Sequence, residues 1–164
     1  MKKFCFLTTV VLLLFCSGSI IAQTKQEQPN ALEKMKQFLG SWQAIAGKDT
    51  IELWEWQLYG KAMTVNVSHI IKGQKTPLYL NNLGFDKRDG KIKGYAMWPD
   101  GGYITWISVF DPANKFLGEA MDNFIPGTTW GKFEMAILNP KEWTWKMWDM
   151  NGKITQELKF SKVK

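Results

Sequence analysis

Cysteine is scarce in this chain: Cys5 and Cys16 are the only two among 164 residues, and both lie in an apolar amino-terminal run. Beyond Cys16 there is therefore no disulfide, no thiolate nucleophile and no sulfur ligand for a metal. Histidine is scarcer, with His69 alone. A Ser-His-acid triad would have to use it, yet on a strand the neighbouring Ser68 points to the opposite face, and no Gly-x-Ser-x-Gly elbow occurs. A zinc site would need its remaining ligands from carboxylates alone, an unusual set. Arginine is nearly absent too, Arg88 being the single one, and the lysines fall near turns (Lys48, Lys61, Lys72, Lys75, Lys91, Lys115, Lys141, Lys153). Phosphate recognition clusters both residue types on one face, so the formal charge of +6 reads as a solvated surface and no nucleic-acid partner is expected. A glycosidase-like acid and base need two inward carboxylates, but alternation places Glu52 and Glu55 on opposite faces, and surface charge is the expectation for both and for Glu119, Asp122 and Asp149. No catalytic, metal or cofactor motif stands out.

What is present begins with Met1-Lys2-Lys3, an apolar run from Phe4 to Phe15, and Ile20-Ile21-Ala22 before a polar stretch. A charged start, an apolar core and a small residue at the end make residues 1–22 a cleavable signal peptide, which implies a secreted or periplasmic protein. An uncleaved anchor competes, since about 20 apolar residues span a bilayer. Thr8, Thr9, Ser17, Gly18 and Ser19 dilute the run, however, and no stable membrane insertion is expected after cleavage. Acylation of Cys16 is a third option, set back by the bulky Phe15 where lipoprotein signals carry a small residue. Cleavage would remove Lys2, Lys3 and both cysteines, leaving residues 23–164 with 19 basic against 15 acidic residues, a balance of +4. A chain of that length needs one core and no second domain.

Asn30 is placed to cap a helix through Leu39, with Glu33 three residues on as in a capping box, and Leu32, Met35, Phe38 and Leu39 share one face. Gly40 ends it. From Trp42 onward turn signals recur: Gly47-Lys48-Asp49, Tyr59-Gly60, Lys72-Gly73, Asp89-Gly90, Asp100-Gly101-Gly102, Asp111 to Asn114, Pro126-Gly127, Asn139-Pro140 and Asn151-Gly152. Asp-Gly and Asn-Gly are strong hairpin signals, because type I′ turns need positive φ at both central residues. The segments between are rich in aromatic and β-branched residues, which fit a pleated surface. The prediction is an all-β fold, an antiparallel up-and-down β-barrel of about ten strands with one short N-terminal helix, closed so that no edge is exposed.

Alternation assigns the faces. Trp54, Trp56 and Leu58 oppose Glu55 and Gln57; Met63, Val65, Val67, His69 and Ile71 oppose Thr64, Asn66 and Ser68; Trp145 and Met147 oppose Thr144 and Lys146; Ile154, Leu158 and Phe160 oppose Thr155, Glu157, Lys159 and Ser161. The first set of each group is expected to face inward.

Gly40-Ser41-Trp42, directly after a helix and opening the first strand, resembles the G-x-W signature of lipocalins and their calycin relatives. Leu58-Tyr59-Gly60-Lys61, Leu83-Gly84-Phe85-Asp86, Thr105-Trp106, Phe110-Asp111 and Asp149 to Lys153 are similar to uncharacterised secreted bacterial lipocalin-like domains. The resemblance implies that Trp42 packs across the closed end of a barrel. It also implies an arginine against that tryptophan, whereas this chain offers only Lys159, Lys162 and Lys164 there. Ten strands resemble the fatty-acid-binding and nitrobindin-like branches, but the haem histidine of the latter has no counterpart in residues 150–164.

Nine tryptophans in so small a domain either line a cavity or simply fill the barrel. The expected function is non-catalytic binding of a small apolar or aromatic ligand at Trp54, Trp56, Met63, Val67, His69, Trp106 and Trp145, without a cofactor or metal. Two rivals stand beside it: an isomerase-type enzyme with His69 as acid or base, and a fully packed structural or interaction domain.

Overall fold

A computed structural model describes residues 31–163. The expected signal peptide and the capping residue Asn30 lie outside the described residues. Helix α1, Ala31–Met35, runs into a 3-10 turn, Lys36–Phe38. The expected helical face is the buried one: Met35 and Phe38 are fully enclosed, with Leu32 and Leu39 packed beside them. Regular α geometry stops earlier than its pattern, because the last turn tightens and Leu39 swings to an extended conformation.

Ten strands follow: β1 (Gly40–Gly47), β2 (Thr50–Tyr59), β3 (Ala62–Ile71), β4 (Gln74–Asp86), β5 (Lys91–Met97), β6 (Tyr103–Phe110), β7 (Phe116–Met121), β8 (Gly131–Asn139), β9 (Glu142–Asp149) and β10 (Ile154–Lys162). Each pairs antiparallel with the next, and β1 pairs with β10 to close the barrel. Every turn signal falls at the junction of consecutive strands, with Gly47, Tyr59 and Asn139 as the last strand residues. Lys72-Gly73 has φ of 51° and 80°, both left-handed, as a two-residue I′ turn requires. At Asp89-Gly90 and Asn151-Gly152 only the glycine is left-handed. These connections are four residues long, and the Asp149 carboxylate organises the second by accepting from the Asn151 and Lys153 backbone N–H groups, each at 2.9 Å.

The helical segment closes the end of the barrel where β1 begins and β2 turns into β3, since Gly40 pairs with Trp56. An aromatic plug forms there. Phe38 stacks on Trp56 with ring centroids 5.3 Å apart, and Trp143 stacks on Phe160 at 4.1 Å. The Trp42 indole N–H donates to the Phe38 carbonyl oxygen at 2.6 Å, and the Lys162 ammonium lies 5.1 Å above the Trp42 ring. A lysine therefore stands where the resemblance implies an arginine, making a cation–π contact instead of a planar stack.

Three expected inward residues face out. Ile71 is 45% exposed at the end of β3. Leu58 is 46% exposed at the β2 end, and Ile154 is 47% exposed because a register shift between Ile154 and Gln156 breaks the alternation of β10. Glu52 departs in the other direction. It is 3% exposed, sharing the inward face of Trp54 and Trp56 instead of contributing surface charge.

Candidate functional site

Between the plug and the opposite end, the inward side chains leave a cavity of about 240 Å³. Small residues make the room. Gly94 faces Trp106 across β5 and β6, and Gly118 faces Phe133 across β7 and β8, so each ring occupies the space a Cβ would take. Ala96 and Ala120 add two shallow positions to the wall.

Four of the seven sequence-predicted residues, Trp54, Trp56, Trp106 and Trp145, stand on this wall. Met63 and Val67 are fully buried but belong to the packed core away from it. Val67 is in register with Trp54 on one side and Tyr79 on the other, and those two rings meet edge to face at 6.3 Å over the smaller side chain. His69 is on the inward face, directly opposite Glu52, with a side chain 31% exposed and its Nε2 3.4 Å from Glu52 Oε2. It does not reach the cavity wall.

Sequence reasoning missed Tyr79, Asn81, Trp98, Trp130 and Gln156, which also line the cavity. Strand β4 gave no clean alternation to read, because a register shift against β3 opposite Val67 and Ser68 offsets its parity. Gln156 keeps the parity of the inward Leu158 and Phe160, but its polar residue type argued for solvent. Trp98 and Trp130 belong to connections at the end opposite the helix, and Trp130 is 40% exposed, so they frame the mouth.

The polar groups are arranged by the tryptophans. Trp54 Nε1 donates to Glu52 Oε1 at 2.6 Å, Trp106 Nε1 to Asn81 Oδ1 at 2.9 Å, and Trp145 Nε1 to Gln156 Oε1 at 3.1 Å. An indole nitrogen can only donate, so each side-chain oxygen is committed to it. Burial pushes the Tyr79 hydroxyl well above the ordinary tyrosine range, and the Glu52 carboxylate adds to the shift. The phenol is neutral at any physiological pH. Among the described residues no group of three or more His, Cys, Asp or Glu could hold a metal.

Comparison with protein-family models and with curated proteins finds no match.

Proposed function

We propose that this barrel is a lipocalin-like binding protein that encloses a small apolar or aromatic ligand without transforming it, and that it acts after export. The cavity carries the reading. Its wall is aromatic and aliphatic surface with a few polar groups, the composition expected of a small-molecule site. A purely apolar cavity of about 150 Å³ accepts benzene, so about 240 Å³ suits a bicyclic compound. The cavity also argues against a fully packed structural barrel. An isomerase using His69 draws less support, because the imidazole faces Glu52 away from the cavity wall.

Filling the cavity tests this. Trp54, Trp56, Trp106 and Trp145 make intrinsic fluorescence a direct reporter, and bicyclic aromatics should quench or shift it saturably. Ala120→Phe places a ring where the wall is shallow and should abolish that response while the melting temperature stays within a few degrees of the parent. An unchanged response in the folded variant would place binding elsewhere.

A further inference from the structure

We propose that the cavity selects uncharged, flat aromatic compounds bearing carbonyl-type hydrogen-bond acceptors over hydrocarbons and over carboxylates of the same size. This rests on the binding reading above and narrows it. The argument starts from the two wall amides. Asn81 Oδ1 and Gln156 Oε1 each accept an indole N–H, which fixes the amide orientation, because a nitrogen at that position would face another donor. Each amide therefore turns its NH₂ away from the indole.

Neither amino group finds a protein acceptor among the described residues. Nor is either sealed inside the protein: among the described residues the enclosed side-chain polar atoms without a partner are Gln37 Nε2, Trp56 Nε1 and Trp143 Nε1. Both residues stand on the cavity wall, which brings a ligand held there within reach of these donors. The Tyr79 hydroxyl, held neutral in the same wall and also without a hydrogen-bond partner, adds a third donor. An aromatic chamber with three such groups is best satisfied by a ligand that accepts.

Charge completes the selection. No lysine, arginine, aspartate or glutamate is on the wall among the described residues, so an anionic ligand would lose its water without gaining a counter-ion. Glu52, close enough to act on Tyr79 through its charge, opposes a second negative charge further. The aromatic faces supply contact area, and the donors select among ligands that fit.

Coumarin, naphthalene and 1-naphthoate separate these contributions: all are flat and bicyclic, carrying respectively a neutral lactone, no polar group and a carboxylate. Calorimetric titration of the protein made from its full sequence should give coumarin about tenfold or more tighter than naphthalene, as two hydrogen bonds of ordinary net strength would produce. 1-Naphthoate should bind more weakly than coumarin. Asn81→Asp and Gln156→Glu keep the oxygen that accepts the indole N–H and delete the donor, so in either folded variant the coumarin preference should fall to about threefold or less. Naphthalene binding as tightly as coumarin would overturn the acceptor selectivity and leave the binding reading standing. Naphthoate binding as tightly as coumarin would overturn the preference for uncharged ligands. If none of the three binds, the binding reading itself fails and takes this proposal with it. The wild-type comparison decides the matter even if both variants fail to fold.

Discussion

A buried indole N–H is a donor in search of an oxygen, and the tryptophans of this protein divide on whether they find one. Trp42 does, at the Phe38 carbonyl, whereas Trp143 Nε1 is enclosed with no partner among the described residues. Both rings are fully buried, so their truncation should differ mainly through that bond. Trp42→Phe loses it and leaves a carbonyl at a tightened helix end, while Trp143→Phe removes a donor that was already unsatisfied. In urea denaturation Trp143→Phe should cost at least about 1 kcal/mol less than Trp42→Phe. Tyr79 gives a pH signature. Its hydroxyl titrates higher in the folded protein than in the unfolded chain, first through burial and then through Glu52. Below the ordinary value of about 10 both states are protonated and pH has no effect through this group; above it the unfolded chain loses the proton first, and stability falls by up to about 1.4 kcal/mol per pH unit. Tyr79→Phe should flatten that alkaline slope in denaturation measured from pH 9 to 11. His69→Gln can still donate toward Glu52 and does not alter the cavity wall, so affinity for a cavity ligand should stay within about threefold of the parent. A larger loss would return His69 to the site.

At the scale of elements, the β5–β6 and β7–β8 faces depend on two residues without side chains. A Cβ on Gly94 would sit 2.6 Å from the Asn82 carbonyl oxygen and inside the Trp106 ring; one on Gly118 would sit inside the Phe133 ring. Backbone cannot yield as a side chain can, so Gly94→Ala should destabilise by about 2 to 3 kcal/mol, and by more than Gly118→Ala, in paired thermal melts. In both variants the displaced ring has the cavity to move into, so the volume open to a ligand should shrink. The short helical segment works by packing rather than by its own propensity. Five α-helical residues and one 3-10 turn are too few to be stable alone, and what holds them is Phe38 and Met35 entering the barrel against Trp56 and Trp143.

The whole molecule is a closed barrel, so every strand has two partners and none offers an edge to another chain. Closure also means that most strand contacts depend on a complete ring of pairs, and unfolding should be one cooperative transition with a β-type circular dichroism spectrum. Export belongs to the same scale. We propose that residues 1–22 are removed, in which case the mature chain carries no cysteine and its melting temperature should be indifferent to reducing agent. Expression with the native leader followed by intact mass measurement should give a chain beginning at Gln23; a full-length mass in the membrane fraction would reverse that reading.

Strand number, turn positions and the inward face of β3 from Met63 to His69 were legible because each depends on local chemistry: glycine and asparagine where φ turns positive, and strict alternation where one face is buried. Trp54, Trp56 and Trp145 were legible as inward residues by the same alternation, whereas Trp106 was singled out by its residue type alone. Glu52 has the parity of Trp54 and Trp56, which was the available signal, but its residue type argued for solvent and only the Trp54 and His69 contacts explain its burial. A register shift hid Tyr79 and Asn81, since one unpaired residue inverts all later alternation and leaves no mark in composition, whereas Gln156 keeps the parity of Leu158 and Phe160 and was passed over for its polar residue type. Turn residues and alternation were enough to specify a closed sheet of about ten strands rich in inward aromatics. Which of those rings face open space depends on the packed barrel, because a cavity is what remains after side chains from distant strands, and the glycines opposite them, have filled the rest.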